Sequence, residues 1–202
     1  MNWQLYLVLG TPLLGGILLA LWGHRNWAAG LNIAMSIATF IAAAALTAHI
    51  ISEGPLVTAD EQFFVDSLNV FLVALTAFVS MTTSLFSRPY MRIEHALGKL
   101  SDNRLRLFHS MYQLFIFTML VVLLTNNLGI LWVALEAATL TTVLLVSLYR
   151  TQASLEAAWK YFILCGVGIA QALFGTILLY SASQKVLGAG GGALLWTHLE
   201  TV

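Results

Sequence analysis

One feature recurs six times along the chain: a predominantly apolar run of about 20 residues, the length an α-helix rising 1.5 Å per residue needs to cross a hydrocarbon core about 30 Å thick. The runs lie at roughly Leu5 to Trp22, Ala28 to Ile51, Asp66 to Phe86, Phe108 to Thr125, Leu128 to Tyr149 and Trp159 to Ser181. Barrel strands would alternate polar and apolar residues over about ten positions. Stretches such as Ile41 to Leu46 and Met119 to Leu124 are instead apolar throughout. The sequence therefore predicts an all-α fold, a polytopic transmembrane helical bundle of about six spans over residues 1–181, with 182–202 as a tail. Charged residues make up only 9% of the chain, too few to cover the surface of a water-soluble domain.

Orientation follows from the basic residues. Arg25 joins spans one and two, Arg88, Arg92, Lys99, Arg104 and Arg106 join three and four, and Arg150 and Lys160 flank five and six; Lys185 alone lies on the other side. The positive-inside rule makes the basic face cytoplasmic and predicts both termini on the outer face of a cell inner (plasma) membrane. Met1 to Gly23 carries no Lys or Arg, so the first run reads as a retained span, not a cleaved signal. Trp3, Tyr6, Trp22, Trp27, Tyr149, Trp159 and Tyr180 fall near span ends, where amphipathic rings settle among headgroups.

Between spans three and four, Ser87 to Leu107 is basic and interrupted by Pro89. It is expected to form a solvated loop with a short amphipathic helix over Met91 to Leu100 at the cytoplasmic surface, or a docking surface for a peripheral subunit. Pro12, beside Gly10, Gly15 and Gly16, predicts a kink in the first span. Gly188, Gly190, Gly191 and Gly192 suit a flexible turn before a further apolar stretch at Ala193 to Leu195, as though another span were beginning.

Several chemistries are set aside by composition and motif. Nine basic residues against nine acidic ones give no electrostatic footprint for nucleic acid. Cys165 is the sole cysteine and can form neither an internal disulfide nor a thiolate metal cluster. There is no phosphate-binding loop, dinucleotide fingerprint, nucleophile motif or metal-ligand set, so neither a catalytic residue nor a cofactor or metal is expected in this chain.

One residue stands out. Glu136 is the only acidic residue deep inside a span, about eight positions or roughly 12 Å from the outer end of the fifth. An ionised side chain at that depth costs about 2.5 to 3.5 kcal/mol, so such groups face the bundle interior and serve transport or proton transfer. Low dielectric favours the neutral acid and a nearby cation or water favours the ion, and a carboxyl poised between the two can take up and release a proton. Thr139, one turn along, and Asn126 and Asn127 at the helix mouth are its candidate partners. Lys160 is expected some 15 to 20 Å away along the axis, either snorkelling to the interface or lining a hydrated proton path. His109 and His49, near span ends, are weaker candidates for proton exchange. Gln171 and the small residues Gly166, Gly168 and Gly175 read as helix-packing elements.

The run Asn126-Asn-Leu-Gly-Ile-Leu-Trp132-Val-Ala-Leu-Glu136-Ala-Ala-Thr139 and the later Ser154-Leu-Glu-Ala-Ala-Trp159-Lys160-Tyr-Phe-Ile-Leu-Cys165, with Tyr90-Met-Arg-Ile-Glu94 and His109-Ser-Met-Tyr-Gln113, resemble the antiporter-like subunits of respiratory complex I and related membrane-bound hydrogenases, in particular the component F branch of hydrogenase-4 and formate hydrogenlyase type complexes. The resemblance covers most of the chain from about Phe64 onward. It implies a membrane subunit that helps to translocate protons or sodium ions, driven by electron transfer in peripheral hydrogenase or dehydrogenase subunits. It also implies that Glu136 matches a family glutamate that pairs with a lysine on a later helix, in a region beyond Val202, so that the chain corresponds to well under half of a member. The competing expectation is a non-conducting membrane anchor or scaffold for such a complex. An autonomous small transporter would need an internal repeat or paired broken helices, and neither is present.

Overall fold

The structure is a computed structural model that describes residues 3–25, 27–58, 60–188 and 191–200. Among the described residues six helices are long and apolar enough to cross a membrane: α1 (Trp3–Trp22), α2 (Ala28–Glu53), α3 (Ser67–Ala96), α4 (Asp102–Leu124), α5 (Leu128–Val146, extended by a 3-10 turn to Tyr149) and α6 (Gln152–Leu187). Short turns join them except between α2 and α3, where the connection is longer. α1 packs on α2 and α4, α2 on α3, α4 on α3 and α5, and α5 on α6. The expected helical bundle of six spans is thus present.

Local sequence sets the helix starts. The Asp66 carboxylate accepts from the Leu68 and Asn69 amides while the Asn69 side chain accepts from the Asp66 amide, a reciprocal cap that satisfies donors at the head of α3. Asn127 caps α5 through the Gly129 amide at 2.8 Å, and Thr151 caps α6 through Ser154 at 3.1 Å.

In lipid the hydrophobic effect does not drive helices together, so close packing and buried hydrogen bonds must do so. α1 supplies the closest approach. A β-carbon on Gly16 would stand 2.9 Å from Leu114 Cγ of α4, and one on Gly15 would stand 3.1 Å from Met35 Cγ of α2. The Ser110 hydroxyl donates to the Gly16 carbonyl at 2.9 Å through the same gap. Around this seam Leu5, Val8, Ala43, Leu46, Val73, Ala77, Leu120 and Leu124 form the main core, and Met91, Leu100, Phe108 and Leu148 form a smaller one at the basic end.

Two expectations require correction. α3 continues as helix through Pro89 to Ala96, so Met91 to Leu100 is no separate surface helix. Pro89 forfeits one main-chain bond, while buried Met91 and Glu94, the latter paired with Lys99 at 2.9 Å, fasten the far end of the helix to the bundle. Gly166, Gly168 and Gly175 create no close approach among the described residues, since an added β-carbon at each meets nothing within 4 Å. Between α2 and α3, beyond the apolar runs, lies a small antiparallel hairpin of β1 (Leu56–Thr58) and β2 (Phe63–Val65). α1 runs unbroken through Pro12. Beyond α6, residues Gly191–Leu194 form a 3-10 turn before a single helical turn, α7 (Trp196–Leu199); Gly190 and Val202 lie outside the described residues.

Candidate functional site: the carboxyl of Glu136

Glu136 sits eight residues into α5, about 12 Å from its start. It is half-buried, at the border between the α5 face that meets α6 and the face carrying exposed Val133 and Leu140. Its neighbours one turn either way both engage α6. The Trp132 indole nitrogen donates to the Ile169 carbonyl at 2.8 Å, and the Tyr161 hydroxyl lies against Thr139, Thr142 and Cys165. These contacts fix the antiparallel register of α5 on α6 and put Glu136 at the level of Cys165.

Among the described residues the Glu136 carboxyl makes neither an ion pair nor a hydrogen bond. Thr139 does not serve it, because the threonine hydroxyl donates to the Leu135 carbonyl of its own helix at 3.1 Å. Asn126 and Asn127 are engaged elsewhere. Asn126, buried at 2% exposure, donates to the Glu61 carbonyl at 2.8 Å and to the Thr197 hydroxyl at 2.9 Å, and Asn127 reaches Gln62 at 2.9 Å. The pair clasps the hairpin loop and the tail onto the mouth of α5. A carboxylate without a protein partner in hydrocarbon is costly, and such a group is satisfied by carrying a proton or by drawing water or a cation to itself.

Lys160 stands nearer to Glu136 than expected. α6 begins at Gln152, seven residues before the predicted span start, and the register above leaves about five residues, or roughly 7 Å along the axis, between the two levels instead of 15 to 20 Å. Its side chain is nonetheless exposed and turns to Glu156, one helical turn earlier, forming an ion pair at the basic end of α6.

The remaining candidates do not converge on Glu136. His109 belongs to α4, buried at 5% exposure, with its Nδ1 unpartnered among the described residues and its ring edge-on to Phe108 at 5.3 Å. His49 Nδ1 lies 3.2 Å from Glu53 at the C-terminal end of α2. Gln171 is exposed on α6 and makes no packing bond among the described residues. What the sequence reading missed is a buried polar cluster between α2 and α4. The Gln113 amide donates to Asn32 Oδ1 at 2.8 Å, to the Asn32 carbonyl at 3.0 Å and to the Ser36 hydroxyl at 3.0 Å. Thr39 meets Thr11 of α1 at 2.9 Å one turn further on. The signal was available in the recurrence of Asn32, Ser36 and Thr39 along a single face of α2.

Comparisons with known proteins agree with this architecture. Residues 125–187 match the family model described as NADH:quinone oxidoreductase/Mrp antiporter, transmembrane, a stretch that contains Glu136, Thr139, Lys160 and Cys165. The chain is 53% identical over 137 residues to a hydrogenase-4 component F homolog of Methylacidiphilum infernorum, covering 68% of this chain and 29% of the relative. It is 29% identical over 168 residues to NADH-quinone oxidoreductase subunit N of an Azoarcus strain, covering 83% and 33%. A chain of the membrane-bound sulfane sulfur reductase, an archaeal respiratory membrane complex, shares the fold with a TM-score of 0.79 at 18% identity, over 98% of this chain and 39% of that one. The chain therefore spans about a third of the length of the relatives it matches. The resemblance read from the sequence is borne out, and six apolar helices with bacterial respiratory relatives accord with a multi-pass inner-membrane protein.

Proposed function

We propose that this chain, an antiporter-like membrane chain of the complex I and hydrogenase-4 family, contributes a proton relay centred on Glu136 to an assembly whose other subunits carry out electron transfer. The observation that carries the reading is the placement of Glu136: an acid two turns inside a membrane helix, half-buried, with no partner among the described residues, in the very stretch that matches the antiporter family. A carboxyl left without a fixed counter-charge can exchange its proton with whatever reaches it, whereas one locked in an ion pair cannot do so readily.

On this reading Lys160 and Glu156 stand at the basic mouth of α6, and His109 serves a separate part of the bundle. The lipid bilayer, further membrane subunits and peripheral hydrogenase or dehydrogenase subunits are the partners the reading requires. Moving one charge against 100 mV involves about 2.3 kcal/mol, which must come from a downhill reaction elsewhere in the assembly.

The test is Glu136→Gln in the complete complex, reconstituted in vesicles and assayed for proton flux alongside electron transfer. Gln keeps the size and a hydrogen-bonding end but cannot ionise. Impaired flux with normal insertion is the expected result. Unchanged flux removes Glu136 from the mechanism and leaves the chain as a membrane scaffold.

A further inference from the structure

At the basic end of the bundle a pocket of about 290 Å³ opens between the α1–α2 turn, the last turns of α3 and the head of α4. Arg25, Arg88, Arg92, His24, His95 and His109 contribute to its wall, and Asp102 is its only carboxylate among the described residues. Arg88, Arg92 and His95 follow one another at the four- and three-residue steps that keep them on a single face of α3. The Asp102 carboxylate is taken by His95 at 2.9 Å. The guanidinium groups of Arg25, Arg88 and Arg92 make neither an ion pair nor a hydrogen bond among the described residues. At the inner side His109 is 5% exposed and its Nδ1 has no hydrogen-bond partner among the described residues.

Three unpaired guanidinium groups around one cavity repel one another unless an anion sits between them. Guanidinium forks match the oxygens of a phosphate, and buried imidazole adds a further polar contact. Depth selects the source of that phosphate. Trp22 and Trp27, both about half exposed, flank the turn that carries Arg25, and exposed tryptophans at helix ends mark the headgroup layer. Met91 and Leu105 give the same pocket apolar walls, suited to the glycerol and first methylenes behind a headgroup. The geometry points to a binding site for the phosphodiester of an anionic phospholipid, held by Arg25, Arg88 and Arg92 over His109. It is independent of the Glu136 relay, which lies on α5.

The full chain, delipidated in neutral detergent, is titrated with short-chain phosphatidylglycerol, with phosphatidylcholine of the same chain length and with inorganic phosphate. Phosphatidylglycerol is expected to bind and the other two not to saturate. The double variant Arg88→Gln with Arg92→Gln should weaken phosphatidylglycerol about 30-fold, taking about 1 kcal/mol for each basic residue facing an anionic lipid. Arg88→Lys with Arg92→Lys should recover part of that loss, and Lys185→Gln at the opposite end should change nothing. These arginines are exposed and carry no structural bond, so the variants are expected to fold, which helicity by circular dichroism verifies. Equal binding of inorganic phosphate would replace the lipid by a soluble anion and overturn the proposal. So would binding of phosphatidylglycerol unaffected by the double variant, or no binding by either probe, which would leave an acidic protein segment as the alternative occupant.

Discussion

The Trp132 indole nitrogen donates to the Ile169 main-chain oxygen at 2.8 Å, and this bond sets the height at which α5 meets α6. It places Glu136 opposite Cys165 and about 7 Å from the level of Lys160. Trp132→Phe keeps most of the ring volume and removes the donor. It is expected to cost about 1 kcal/mol, the usual worth of a hydrogen bond between helices in a bilayer, read as a lower midpoint in SDS-induced unfolding from mixed micelles. An unchanged midpoint would mean that packing alone holds the register.

Gly16 is the position at which α1 has the least room. With Leu114 Cγ at 2.9 Å from an added β-carbon, Gly16→Val is expected to push α1 off α4, stretch the Ser110 bond and destabilise by about 1–3 kcal/mol. Gly166→Val, with open space around it, should fall within about 0.5 kcal/mol of the parent in the same unfolding assay. Equal effects at the two glycines would contradict the packing account.

Gln113 holds three acceptors of α2 at once. Gln113→Leu removes every one of those bonds and leaves the Asn32 side-chain oxygen and the Ser36 hydroxyl to find others within a buried seam, at an expected cost of about 1–3 kcal/mol. Pairing it with Asn32→Leu and Ser36→Ala should restore part of the loss, because the orphaned groups disappear with their partner. A triple variant less stable than the single one would show that these groups act independently.

Asn126 ties three segments at the end of the bundle away from the basic pocket. Asn126→Ala removes the side-chain bonds to Glu61 and Thr197 while the main-chain bond from the Trp196 amide to the Asn126 oxygen persists. Hydrogen exchange should therefore quicken around the hairpin loop and at Thr197, with little change at Trp196 and none in α1. Exchange unaltered at Thr197 would place the clasp elsewhere.

The exposed Lys160–Glu156 pair is worth little as a stabilising contact, about 0.5 kcal/mol at most for neighbours one turn apart on a helix. Lys160→Gln is accordingly expected to insert and fold normally, and in the complete complex to impair proton flux less than Glu136→Gln does. Loss of flux equal to that of the Glu136 variant would make Lys160 an obligatory member of the relay.

Span number, helical class and the singular position of Glu136 were legible before any coordinates, because they depend on one-dimensional quantities: the length of an apolar run against the thickness of a bilayer, and one acid inside such a run. Asp66, Asn127 and Thr151 cap helix starts through bonds that reach no further than three residues along the chain, a signal that is local although the apolar runs alone put the start of α6 seven residues too late. The hairpin was harder to see, as its three-residue strands are too short to show a period. What only the tertiary structure decided is who meets whom. Nothing local tells that Gly16 rather than Gly166 marks a close crossing, that Gln113 finds Asn32, or that Arg25 joins Arg88 and Arg92 around one pocket. The membrane-crossing stretches of these helices are mostly apolar, so hydrophobic periodicity carries little information about which face is inward. In a bilayer that choice falls to steric fit and to the few polar groups that find one another across helices.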